Sequence, residues 1–144
     1  MIKYRYCSVY VHKRQMYIQR QLSSMGGDLM DWPPKPLDVG LTQEQLSAEI
    51  ASALEDYRQI SRRVLVPELQ EMTKRMLEYF GEKSISAFEK HRRVISIRQD
   101  VSQGVYVLFA SWEREQLCEL CTLTEVAKKI LECLRPATSV PGRT

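Results

Sequence analysis

Leu37-Asp38-Val39-Gly40-Leu41-Thr42-Gln43-Glu44-Gln45-Leu46 decides how this chain is read, because a related stretch returns later. Thr42 and Gln45 form a capping box: a hydroxyl just before a helix accepts the amide of the third helical residue, whose side chain satisfies the cap's own amide in return. Thr122-Leu123-Thr124-Glu125 repeats the signal 80 residues on. At that offset Leu37, Leu46, Ile50 and Leu54 align with Leu117, Val126, Ile130 and Leu134. Each capped segment carries an apolar stripe at helical spacing, Leu46, Ile50, Ala53, Leu54 and Tyr57 in one, Val126, Ala127, Ile130, Leu131 and Leu134 in the other. The chain therefore reads as two related halves, each a set of strands running into a helix, too long in period and too few in copies for a solenoid.

Working outward, Tyr4, Tyr6, Ser8 and Tyr10 alternate with Arg5, Cys7, Val9 and Val11, the period of a strand. A turn at His12-Lys13-Arg14-Gln15 leads into a second alternating run, Met16, Ile18 and Arg20 against Tyr17, Gln19 and Gln21, which makes a hairpin. A short strand is expected over 28–30, and Trp32-Pro33-Pro34-Lys35-Pro36 is a loop or a sheet edge, since proline donates no ladder hydrogen bond. A second helix is expected from Pro67 to Phe80, with Leu69, Met72, Met76 and Phe80 inward and Gly81 as its stop. A short helical turn over 84–90 precedes strands at 94–99, 105–109 and 117–121. The fold class is α+β: a mostly antiparallel sheet packed against helices, in two pseudo-repeated strand-helix halves.

With 144 residues, 44% hydrophobic and 27% charged, the chain can bury one core, and the expected organisation is a single domain over 1–135 and a flexible tail over 136–144. No apolar run approaches the roughly 20 residues that span a bilayer, and the N-terminus lacks a signal-peptide pattern, so a cytoplasmic protein is expected. Cys7, Cys118, Cys121 and Cys133 are then reduced, small core residues. Cys118-Glu119-Leu120-Cys121 lacks the second ligand pair that structural zinc requires, so neither metal nor cofactor is expected.

No nucleophile elbow, P-loop or dinucleotide fingerprint occurs, and neither His12 nor His91 has a triad partner nearby in sequence, so the chain is read as a non-enzyme. An enzyme built on either histidine would need a deep polar pocket containing it. Trp32 and Trp112, each beside acids, are interface anchors or core plugs, which look alike in sequence.

The order of segments resembles the immunity proteins of bacterial contact-dependent growth inhibition systems. The resemblance spans roughly residues 4 to 135: a Tyr-rich hairpin, a capped helix ending near Tyr57-Arg58, then Val66-Pro67 and a helix. Its most specific part is Lys83-Ser84-x-x-Ala87-Phe88-x-Lys90 leading into Val94-Ile95-Ser96-Ile97. Residues 110–116 depart from the family, being shorter and more charged. Such proteins bind the toxin domain of their own system tightly, usually masking its active site, and many of these toxins are nucleases, commonly ribonucleases. The resemblance implies that function here, with the C-terminal toxin domain of a secreted adhesin-type effector as partner, and neither membrane nor small-molecule substrate.

A basic nuclease would favour an acidic contact patch. Net charge is +3, so the acids must cluster, and the candidates for toxin binding are Asp28 and Asp31 with Trp32, or Glu113, Glu115 and Glu119 with Trp112. The competing function is a nucleic-acid-binding module using Arg62-Arg63 and Lys90-His91-Arg92-Arg93, in a chain of pI 8.7.

Overall fold

The computed structural model describes residues 2–25, 27–38, 40–110 and 115–135, without the side chains of Asp28 and of 115–117. The expected tail therefore lies outside the described residues. The first alternating run forms β1 (Tyr4–His12), paired antiparallel with β2 (Gln15–Ser24). Lys13 and Arg14 between them both take positive φ, 48° and 72°, the twist a two-residue hairpin turn needs. β3 (Gly27–Leu37) pairs with β2, while β4 (Arg92–Asp100), β5 (Val105–Ala110) and β6 (Glu115–Leu120) follow in a second meander.

β1 and β4 lie side by side, so the sheet runs β3-β2-β1-β4-β5-β6, all antiparallel. The two meanders are thus joined back to back through their first strands. Each ends in a helix, α1 (Gln43–Glu55) after the first and α4 (Leu123–Leu134) after the second. The repetition seen in sequence is the repetition of the architecture, strand-strand-strand-helix twice over.

Both hydroxyl caps form, but only the first closes as a reciprocal box, since the Glu125 carboxylate accepts from the Thr122 hydroxyl at 3.0 Å and not from its amide. Thr42 Oγ1 accepts the Gln45 amide at 3.1 Å while Gln45 Oε1 accepts the Thr42 amide at 2.8 Å, and Thr122 Oγ1 accepts the Glu125 amide at 3.1 Å. Leu46, Ile50, Ala53 and Leu54 meet Val126, Ala127, Ile130 and Leu134 over Cys7, Val9, Ile18, Ile95, Ile97 and Leu108 of the sheet. These strand residues share one face because cross-strand partners such as Val9 with Ile18 and Ile97 with Leu108 point the same way. Arg135 donates to the Leu41 carbonyl at 2.7 Å and Gln43 to that of Thr124 at 2.9 Å, tying the helices together.

After α1 the chain changes sides. β1 and β2 pair only as far as Cys7 and Arg20; beyond that, Ser23 exchanges hydrogen bonds with the segment after α1, its amide to the Arg58 carbonyl and its carbonyl from the Ile60 amide, both 2.8 Å. α2 (Val66–Phe80) and α3 (Ile85–Lys90) then pack on the opposite face. There Tyr10, Met76, Phe80 and Phe88 form a second, aromatic core flanked by Tyr17, Trp32 and Val94, with Phe80 and Phe88 centroids 4.8 Å apart. Gly81 stops α2 at φ 67°, a left-handed conformation that favours glycine.

Three expectations need correction. The strand expected over 28–30 is longer, β3 running from Gly27 to Leu37 through Pro33, Pro34 and Pro36; of the two alternatives for 32–36 the sheet edge is the one found, where a missing amide costs no ladder bond. Its register slips where Trp32, Pro33 and Pro34 oppose Gln19, whose buried side chain donates to the Asp31 carbonyl at 2.9 Å. Leu69 is not inward but exposed, because the buried residues of α2, Met76 and Phe80, lie in its last two turns. Cys121 is exposed just past β6, whereas Cys7 is fully buried.

Candidate functional site

The first turns of α2 stand beside the β3 edge and leave a groove of about 440 Å³ between them. Trp32 forms one wall, held by an edge-to-face contact with Tyr79 at 5.4 Å; Pro67 and Met72 supply the apolar floor, with Glu68, Glu71 and Arg75 around them. At the same end of α2, outside the groove lining, Leu65, Val66 and Leu69 are 60%, 64% and 41% exposed, apolar residues at the start of the helix. The charges nearby are closed on themselves. Arg62 reaches Glu68 at 3.0 Å and Arg75 reaches Glu71 at 3.8 Å. The Arg62 guanidinium, helped by the Leu65 amide, holds the Glu68 carboxyl below the usual carboxylate range.

The acidic residues expected at an interface are only partly placed together. Asp31 pairs with Arg58 at 2.9 Å, so its charge is neutralised within the chain. Asp28 sits in β3 opposite Ser23, and its side chain is outside the description. Trp112 and Glu113 lie outside the described residues, and Glu115 opens β6 opposite Ala110 with its side chain likewise outside. Glu119 is exposed on β6 opposite Val107. Since β3 and β6 are opposite edges of the sheet, five strand spacings of about 4.8 Å separate the two clusters, roughly 24 Å. Asp31 and Trp32 belong to one edge and Glu119 to the other, so they are alternatives, not one patch.

The histidines have a different task. His12 is 3% exposed, its ring packed on Phe80 and Phe88 at 4.9 and 5.4 Å, and its Nε2 lies 2.6 Å from Glu82 Oε2. His91 Nδ1 approaches the same oxygen at 2.9 Å. One buried carboxylate thus clamps the hairpin end of β1 to both sides of α3. The His12 ring is enclosed by phenyl groups, where a reacting histidine would face an open polar pocket. Among the described residues, no group of three or more His, Cys, Asp or Glu side chains is arranged to hold a metal ion, and no helix is long and apolar enough to cross a membrane.

The basic run at 90–93 is largely spent on the fold. Arg92 stacks over Phe88 and Tyr10 at 4.6 and 5.3 Å, and Arg93 donates to the Leu134 carbonyl at the end of α4 at 2.8 Å. His91 sits on Glu82 and Arg62 on Glu68, while Lys90 and Arg63 of the same two basic runs are exposed. The groove was missed in sequence. Its signal was Leu65-Val66-Pro67-Glu68-Leu69, apolar residues gathered at a helix start.

No family model and no curated protein matches the chain. Solved structures do match it. A protein of unknown function from Neisseria meningitidis is 16% identical, with a TM-score of 0.65 over 92% of this chain and 96% of that one. A chain of the CdiA-CT/CdiI toxin and immunity complex from Yersinia pseudotuberculosis is 12% identical, with a TM-score of 0.60 over 88% of this chain and 93% of that one. At these identities the likeness is one of fold, and it extends over nearly the whole sheet and its helices.

Proposed function

We propose that this chain is the immunity protein of a contact-dependent growth inhibition system, which binds the toxin domain of its own system and neutralises it. The observation that carries the reading is the fold shared, nearly end to end, with a chain of a complex described as toxin and immunity protein. The Lys83, Ser84, Ala87, Phe88 and Lys90 segment supports it independently, and its physical content is now plain: Ser84 Oγ caps α3 by accepting the Ala87 amide at 3.1 Å, and Phe88 fills the aromatic core. The toxin is a nuclease in this reading, a ribonuclease by preference, whose active site is masked in a cytoplasmic complex. A stoichiometric inhibitor needs a rigid frame and an exposed contact surface, which the doubled strand-helix scaffold and the α2 ridge can supply. Mixing the chain with the toxin domain encoded beside it should give an equimolar complex on size exclusion and abolish the toxin's nuclease activity at equivalence. Separate elution with undiminished activity would remove the proposal.

A further inference from the structure

The two repeated halves close the larger core with α1 and α4 alone; no residue of α2 or α3 enters it. The segment 57–91 is an insertion between the halves, carried across the sheet at Ser23 and holding its own smaller core. That core anchors only the end of α2. Its beginning exposes Leu65, Val66 and Leu69, and the sheet and main core are complete without them. Apolar side chains gathered in water mark a contact surface more often than scattered ones do.

The charges decide what kind of contact. Around the Trp32, Pro67 and Met72 lining, Glu68 is matched by Arg62 and Glu71 by Arg75, and Asp31 on the same edge is matched by Arg58. A charged group entering here meets no uncompensated counter-charge and loses its hydration. An uncharged apolar group meets an aromatic wall and a thioether floor inside a ring of satisfied ion pairs, the arrangement of an interface centre with a polar rim.

We propose that the groove between Trp32 and α2, with the Leu65, Val66 and Leu69 ridge, is where the toxin domain docks, through uncharged apolar side chains and not through the acidic clusters. This rests on the immunity reading above. The test measures affinity of a catalytically inactive form of the neighbouring toxin domain for the full chain and for Val66→Glu and Leu69→Glu. Both positions are exposed, and acids in the first turns of a helix suit its dipole, so these variants should fold. The control is Val101→Glu, an exposed position in the turn between β4 and β5.

The expected result is a loss of roughly 30-fold or more for each ridge variant, the scale of an interface hot spot, with the control unchanged. Wild-type affinity should also change less than about threefold between low and high salt, since no net charge is screened. Undiminished affinity in both ridge variants overturns the docking site while leaving the immunity reading in place. Absence of binding by the wild-type chain overturns both. A wild-type dimer converted to monomer by the variants, with toxin affinity intact, assigns the groove to self-association and overturns the proposal.

Discussion

His12 Nε2 lies 2.6 Å from Glu82 Oε2, joining the end of β1 to the linker between α2 and α3 across 70 residues of sequence. With His91 on the same oxygen and Lys13 Nζ at 4.0 Å, Glu82 is surrounded by donors, and the His12 hydrogen bond foremost holds its pKa below the usual glutamate value. The sign follows from the ionised form being favoured in the fold. Its stabilisation is complete above the unfolded value of about 4.3 and is lost as pH falls through the lower folded value. Glu82→Gln should lower the urea midpoint at pH 7 and remove this part of the acid-side decline, so that the two proteins converge as pH falls through the lowered Glu82 value. Parallel curves across that range would contradict the role given to Glu82.

Ile50 and Ile130 occupy matching places in the two halves, and both are fully buried where α1 meets α4. Truncation of either to alanine should cost about 2–5 kcal/mol, by lost transfer energy and the cavity left behind. Denaturant unfolding of each variant measures this. A much smaller cost for one of them would mean that the halves do not share the core equally.

Asp31 and Arg58 form a part-exposed pair, so Asp31→Lys should change stability by less than about 1 kcal/mol. Its effect on toxin binding separates two accounts of the interface. Stopped-flow association slowed severalfold by the reversal would favour the acidic cluster, whereas Leu69→Glu is expected to act on the dissociation rate.

Arg92, Arg93, His91 and Arg62 are engaged within the fold, so RNA and DNA oligonucleotides should show no binding whose affinity falls steeply with salt. Fluorescence anisotropy from 50 to 200 mM salt checks this. A steep slope would restore the nucleic-acid reading.

The four thiols differ by burial. Cys7 is enclosed and its pKa is pushed up to about 12 by burial, with Cys118 also raised for that reason, while Cys121 is exposed. A thiol reagent at pH 8 should modify Cys121 first and Cys7 only on unfolding. Fast modification of Cys7 in the native protein would contradict the packing of the main core.

The parts of the fold written in short-range patterns were readable from sequence. The capping box at Thr42, the N-cap at Thr122, the stripes of α1 and α4 and the β1–β2 alternation each depend on residues a few positions apart, and these form as expected, though Glu125 takes the Thr122 hydroxyl and not its amide. The rest depends on partners far away in the chain. Three prolines did not end β3, since its place at the sheet edge was decided by β2 and by the Gln19 side chain. Leu69 has the spacing of an inward residue, yet its direction depends on where α2 meets the sheet, and the residues of α2 buried there are Met76 and Phe80, near its end. The Glu82 clamp joins residues 70 and 9 positions apart, which no local motif announces. The candidate interface follows the same division. Trp32 was picked out by its side-chain type, but its partners Pro67 and Met72 came together only through the crossing at Ser23.

Protection of living cells tests the central claim most directly. Cells induced to make the toxin domain encoded beside this chain should stop growing when alone, and grow normally when they also make the wild-type chain. Continued growth arrest in the presence of the folded, wild-type chain would contradict the account.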